Sequence, residues 1–179
     1  MSTLSTPGLA QQIANGAPAG RWTLDPHQSS IGLKSKSVWG LMGIRGTFTG
    51  VSGDGVLGSD GGATGTVTIA AASIDTKNAK RDTHLKSKDF LYVEDHPDIV
   101  VTVSSIRTAG DTMAVEGALT VVGKTIPLSF PATATVTGNT AVLDATLTID
   151  RSELGLTWNQ IGMVSMKNDI TVHFVFAHV

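Results

Sequence analysis

The sequence predicts an all-β domain: antiparallel strands with one dry face and one wet face, and a short helix set between them. Three observations lead there. Apolar and polar residues alternate with a period of two over most of the chain, the pattern of half-buried strands. Ten of the 20 glycines lie between Gly40 and Gly65, several inside strand-like sequence. One stretch, Lys77 to Lys88, has helix-compatible composition with no Gly or Pro.

Taken in order, the first twenty residues read as an N-terminal tail or a short helix. Thr6 suits an N-cap, Pro7 the first helical position, and Asn15-Gly16 a stop. From Arg21 to Val179 the period-two pattern takes over, defining one domain. Trp22 and Leu24 alternate, then Ile31 and Leu33, then Val67 and Ile69, then Ile99, Val101 and Val103. Val115, Gly117 and Leu119 follow, then Ile126, Leu128 and Phe130. The longest runs are Ala141 to Ile149 and Ile170 to Phe176. Eight or nine strands result. The helix over Lys77–Lys88 takes capping oxygens from Asp75 and Thr76 and must stop before Pro97. A second short helical or irregular piece is expected over Val38–Gly43, carrying Trp39 and Met42 toward one end.

A sheet with one dry face hides it by stacking on a second sheet or by closing on itself. The strand glycines (Gly46, Gly50, Gly53 and Gly55) favour closure, because they permit bulges and sharp bends.

Composition narrows the function. The 179 residues are 41% apolar and 16% charged, enough for one domain with a substantial core. The net charge of −2 gives no support to nucleic-acid binding. With no cysteine, disulfides, thiolate metal sites and a cysteine nucleophile are excluded. No segment reads as a secretory leader or a membrane-spanning helix, so a cytoplasmic location is expected.

No motif commits the chain to catalysis. Gly53-Asp54-Gly55-Val56-Leu57-Gly58 spells GxGxxG, but turn residues and another strand follow where a dinucleotide site needs a helix. A hairpin with bulge-forming glycines is the better reading. His27, His84, His96, His173 and His178 have no metal-ligand spacing, and no metal or cofactor is expected. His27 and His84 each sit near an Asp (Asp25, Asp82), so an enzyme built on His27, Asp82 and His84 is one alternative. Arg81-Asp82 reads instead as a local ion pair and cap network tying the helix to the barrel. Arg151 between Asp150 and Glu153 reads as a turn held by an ion pair. Lys77, Lys80, Arg81, Lys86 and Lys88 cluster five of the 13 basic residues. They form either a solvated helix face or a surface that steers anionic headgroups and peripheral membrane contact.

Several ordered motifs carry a resemblance. Trp22-Thr23-Leu24-Asp25-Pro26-His27-Gln28-Ser29 opens it, with Gln28 inserted between the His and the Ser. Gly46-Thr47-Phe48 and Ser73-Ile74-Asp75-Thr76-Lys77-Asn78 follow. Then come Arg81-Asp82-Thr83-His84-Leu85-Lys86-Ser87-Lys88-Asp89-Phe90 and His96-Pro97-Asp98-Ile99. Gly117-Ala118-Leu119-Thr120, Gly123-Lys124-Thr125 and Asp150-Arg151-Ser152-Glu153-Leu154-Gly155-Leu156 complete it. From Trp22 to the C-terminus these resemble the YceI-like family of lipocalin-like, polyisoprenoid-binding proteins, with Leu91 and Leu154 where that family carries Phe.

The resemblance implies an extended eight-stranded antiparallel lipocalin-like β-barrel with a helix at one end and a long apolar cavity. It implies binding of a polyisoprenoid, quinone tail or fatty amide, with carriage or sequestration as the role and a homodimer as the assembly. The expected ligand-binding wall is Trp22, Leu24, Ile31, Leu33, Phe48, Val67, Ile69, Phe90, Ile99, Val101, Leu119, Leu128, Phe130, Leu143, Leu147, Leu154, Trp158, Val172 and Phe174. Ala71, Gly117 and Ala145 are expected to leave room for the chain. A structural module with a filled barrel is the remaining alternative.

Overall fold

A computed structural model describes residues 18–37, 43–109, 112–157 and 164–179. The expected helix after Thr6, the segment 38–42 and Trp158 lie outside the described residues.

Strands β1 (Gly20–Leu24), β2 (Ser30–Ser37), β3 (Gly43–Phe48), β4 (Val51–Leu57) and β5 (Ala63–Ala70) open the fold. A single 3-10 turn (Ala71–Ser73), β6 (Ile74–Asp75) and helix α1 (Ala79–Leu85) come next. Strands β7 (Asp98–Ala109), β8 (Thr112–Val121), β9 (Lys124–Thr137), β10 (Thr140–Asp150) and β11 (Val164–His178) complete it.

These strands form one sheet in the order β1-β4-β5-β7-β8-β9-β10-β11, and β1 pairs back onto β11 to close the ring. The short strands run on in pairs. β2 continues β1, β3 leads into β4, and β6 extends β5, so the wall has eight antiparallel staves. β11 is the seam: its C-terminal half pairs with β1 (Leu24↔Phe176) and its N-terminal half with β2 (Ile31↔Val172). Closure removes most of the free edge that an open sheet would expose.

Alternation decides which residues enter the interior. Trp22 and Leu24 are buried while Arg21 and Thr23 are exposed. Met113 and Val115 in β8 are buried while Thr112, Ala114 and Glu116 are exposed. Two apolar clusters face the interior. One centres on Leu24, Ile31, Ile69, Ile99, Leu119 and Phe174 toward the helix end. The other centres on Trp22, Leu57, Met113 and Val115 toward the opposite end. Each well-buried aliphatic or aromatic side chain contributes roughly 1.5–3 kcal/mol.

The glycines act differently from expectation. Gly53 and Gly55 lie in an unbroken β4–β5 ladder from Val51↔Ile69 to Leu57↔Ala63, with no bulge. Register shifts fall instead in β11, between Val164 and Asn168, and in β7, between Val103 and Ser105, the latter opposite Gly117 of β8. There the strands approach so closely that only a residue without Cβ fits.

β9 and β10 are joined only from Thr140↔Thr137 to Ala145↔Ala132. Below that point no ladder joins 124–131 of β9 to 146–150 of β10. Pro127 and Pro131 occupy this part of β9, where lost backbone donors are tolerated. Pro131 immediately precedes Ala132, the first residue paired with β10.

The helix is shorter than expected and capped by a different residue. Lys77 has a positive φ of 60°, which no helix accepts. Asn78 is the N-cap, its side chain accepting from the Arg81 amide, while the Asp75 carboxylate accepts from the Lys77 amide.

Candidate functional site

Apolar inward parity on all eight staves leaves a cavity of about 430 Å³ running through the barrel. That volume lies within the range of small-molecule pockets. The longest stave, β11, has 15 residues and spans ~50 Å at 3.4 Å per residue. Its lining runs from Trp22 at one end to Arg151 at the other.

Of the residues expected to form the wall, Trp22, Ile31, Leu33, Phe48, Val67, Ile69, Phe90, Ile99 and Val101 line the cavity. So do Leu119, Leu128, Phe130, Leu143, Leu147, Leu154, Val172 and Phe174. Leu24 does not; it is buried in the core beside them. Ala71, Gly117 and Ala145 are not among the lining residues either. Ala71 packs in the 3-10 turn, Ala145 sits in the cluster around Trp22, and Gly117 is pressed against Thr102. The small residues of the wall are instead Gly55, Ala63, Gly65, Ala134 and Ala141.

The end away from the helix is built around Trp22. Its indole meets the His178 ring edge-on at 5.2 Å, and its Nε1 donates to the Pro18 carbonyl at 3.3 Å. Among the described residues Asp54 is the one acidic lining residue, and an exposed 2.8 Å ion pair with Arg21 holds it.

The helix end carries more polar groups: Ser35, Thr76, Arg81, His84, Arg151 and Asn168 all line the cavity there. Thr76, nearly buried at the end of β6, organises part of it. Its hydroxyl donates to Asp82 and accepts from Arg81 Nε at 2.8 Å. Its amide donates to Asp82 at 3.0 Å, and its carbonyl accepts from Arg81 at 2.8 Å. Arg81 and Asp82 thus tie the helix to β6 by closing on one threonine between them.

Arg151 is buried where β10 ends. Its Nη1 donates to the Leu156 carbonyl at 2.6 Å, its Nε to the Ser165 carbonyl at 3.3 Å, and its guanidinium lies 5.3 Å from the Phe90 ring centre. Burial lowers its pKa from the ordinary arginine value, the Asp150 charge opposing the shift. The expected flanking ion pair does not organise this turn. The Asp150 carboxylate accepts from the Ser152 amide and hydroxyl instead. Ser35 and Asn168 escaped the sequence reading because a polar residue on the dry parity looks like a break in the pattern, and Arg151 reads from sequence as a turn residue and not as part of the wall.

The residues of the enzyme alternative occupy separate networks. Asp82 holds Thr76, and His84 pairs with Asp89 at 3.2 Å. His27 lies in the exposed turn between β1 and β2, where Asp25 accepts from its amide. Among the described residues no three His, Asp or Glu side chains converge as a metal site.

A closed antiparallel barrel with a helix at one end and an apolar interior defines a lipocalin-like domain. The chain belongs to the family described as the YceI-like domain, which matches residues 22–177. It is 33% identical to UPF0312 protein plu2095 of Photorhabdus laumondii over 127 residues, 69% of this chain. The match spans 66% of that relative's length, just under two thirds. Among solved structures, BcnA of Burkholderia cenocepacia superposes with a TM-score of 0.78 at 24% identity, covering 85% of this chain and 98% of that one. A polyisoprenoid binding domain from Saccharophagus degradans gives 0.73 at 13% identity, covering 90% and 100%. Both likenesses concern the fold.

Proposed function

We propose that this chain binds a long-chain apolar molecule of the polyisoprenoid kind inside the barrel and keeps it from water. One observation carries the reading: a cavity of about 430 Å³ whose wall is apolar along the staves, with polar side chains gathered at its ends. The shared fold of a polyisoprenoid binding domain supports the same ligand class.

The driving force is burial. At ~0.8 kcal/mol per CH₂, a chain of a few isoprene units offers more gross free energy than the roughly 8 kcal/mol of a micromolar complex. The surplus offsets the ordering of a flexible chain. An apolar wall gives little discrimination between similar tails, so selectivity falls to the polar ends. Carriage and sequestration use the same binding step and differ only in how the ligand leaves.

Mass spectrometry of an organic extract of the purified protein tests this. A co-purifying prenyl or other long-chain lipid is the expected result. No such lipid, together with no uptake of added geranylgeraniol, contradicts the proposal. Cell fractionation and blotting separately test the cytoplasmic location we propose.

A further inference from the structure

One polar atom in the cavity wall is left without a partner. Ser35 is 5% exposed, and its Oγ makes no hydrogen bond among the described residues. Such a group loses its water without compensation, so buried hydroxyls ordinarily find a partner. Ser35 follows Ile31 and Leu33 on the inward parity of β2 and lines the cavity.

Its surroundings define what would satisfy it. Across the β2–β11 ladder Ser35 faces Asn168, which in turn pairs with Ile149 of β10. Arg151, two residues beyond Ile149, keeps the same parity and also lines the cavity. Asn168 Nδ2 donates to the Met166 carbonyl at 3.3 Å. Among the described residues no carboxylate lines this end: Asp54 is at the other one, and Asp82 and Asp89 are engaged by Thr76 and His84. A hydroxyl donor, an amide and a buried guanidinium, joined at this end by Arg81, favour an acceptor that carries negative charge.

We propose that Ser35, Asn168 and Arg151 form a headgroup subsite that takes an anionic oxygen group, a carboxylate or a phosphate monoester, at the end of the long-chain ligand. The proposal rests on the reading that the cavity takes such a chain. It assigns the direction of entry of the ligand: headgroup under the helix, tail toward Trp22.

Calorimetric titration with three C20 probes of one tail tests it: geranylgeranyl phosphate, geranylgeranoic acid and geranylgeraniol. Wild-type protein is expected to bind the phosphate, the acid or both at least tenfold more tightly than the alcohol. A preference for one anion or for both identifies the headgroup source. In Ser35→Ala that ratio falls at least threefold. The same variant melts no lower than wild type without ligand, because it removes an unsatisfied buried hydroxyl. A purely structural serine would not separate these readouts. Equal affinity for all three probes, or an unchanged ratio in Ser35→Ala, overturns the subsite and leaves the cavity reading standing. Failure of all three to bind overturns both.

Discussion

Gly117 lies against Thr102 across the β7–β8 ladder so closely that a Cβ at 117 would sit 1.9 Å from the Thr102 carbonyl oxygen. The contact coincides with the register shift between Val103 and Ser105. The obstacle is backbone, so it cannot rotate away. Gly117→Ala is therefore expected to destabilise the protein by about 2–4 kcal/mol. At ~2–4 °C per kcal/mol for a chain of this size, a thermal melt should fall by roughly 4–16 °C. A melt within 2 °C of wild type would show that the close approach relaxes without cost.

The β8–β9 hairpin turns on Val122 and Gly123, with φ of 50° and 72°. A β-branched residue at positive φ carries roughly 1–3 kcal/mol of strain, while Asn tolerates that region. Val122 is only half-buried against the core, so its apolar contacts contribute about 1 kcal/mol. Strain outweighs burial, and Val122→Asn should stabilise by a few tenths to about 1 kcal/mol. Urea unfolding measures it, and a lower midpoint would reverse the ranking of the two effects.

Arg151 and lysine are not equivalent at this position. A lysine cannot reach both the Leu156 and Ser165 carbonyls and lie over Phe90 with a flat guanidinium face. Arg151→Lys should cost about 1–3 kcal/mol, because it leaves a buried carbonyl unpaired. Equilibrium unfolding checks this, and an unchanged midpoint would contradict the role given to Arg151.

Three partly exposed carboxylates contribute to the acid response. Asp25 is held below its ordinary 3.8 by the Gln28 side chain, Asp75 by Lys77 and Asp150 by Ser152. A depressed folded-state pKa stabilises above the unfolded value and is lost as pH falls through the folded one. Stability should therefore decline as pH drops below about 4, by a modest amount because solvent screens all three. A triple Asn variant should show a shallower decline in urea midpoint between pH 5 and pH 3. An identical slope would remove these groups from the account.

The wall was legible because alternation leaves a clear mark where the wet face is polar. Ile31 and Leu33, Val67 and Ile69, and Leu143 and Leu147 follow the rule, and all line the cavity. Leu24 obeys the same parity yet packs in the core, since parity separates inside from outside and not wall from filling. The helix start was misplaced because composition does not reveal the positive φ of Lys77. Pro127 and Pro131 mark the stretch of β9 paired on one side only, a signal that the alternation pattern passes over. The polar helix end stayed hidden. Ser35, Asn168 and Arg151 come from β2, β11 and the end of β10, and closure through β11 is what brings them together.

The central claim is that a long apolar chain occupies the barrel, and native mass spectrometry with geranylgeraniol tests it most directly. Val172 lines the cavity, so Val172→Trp fills it while keeping the inward apolar parity of β11. Wild-type protein should hold one equivalent of the probe, and a folded Val172→Trp variant should bind it at least tenfold more weakly. No binding to wild type, or equal binding to both proteins, would contradict the account.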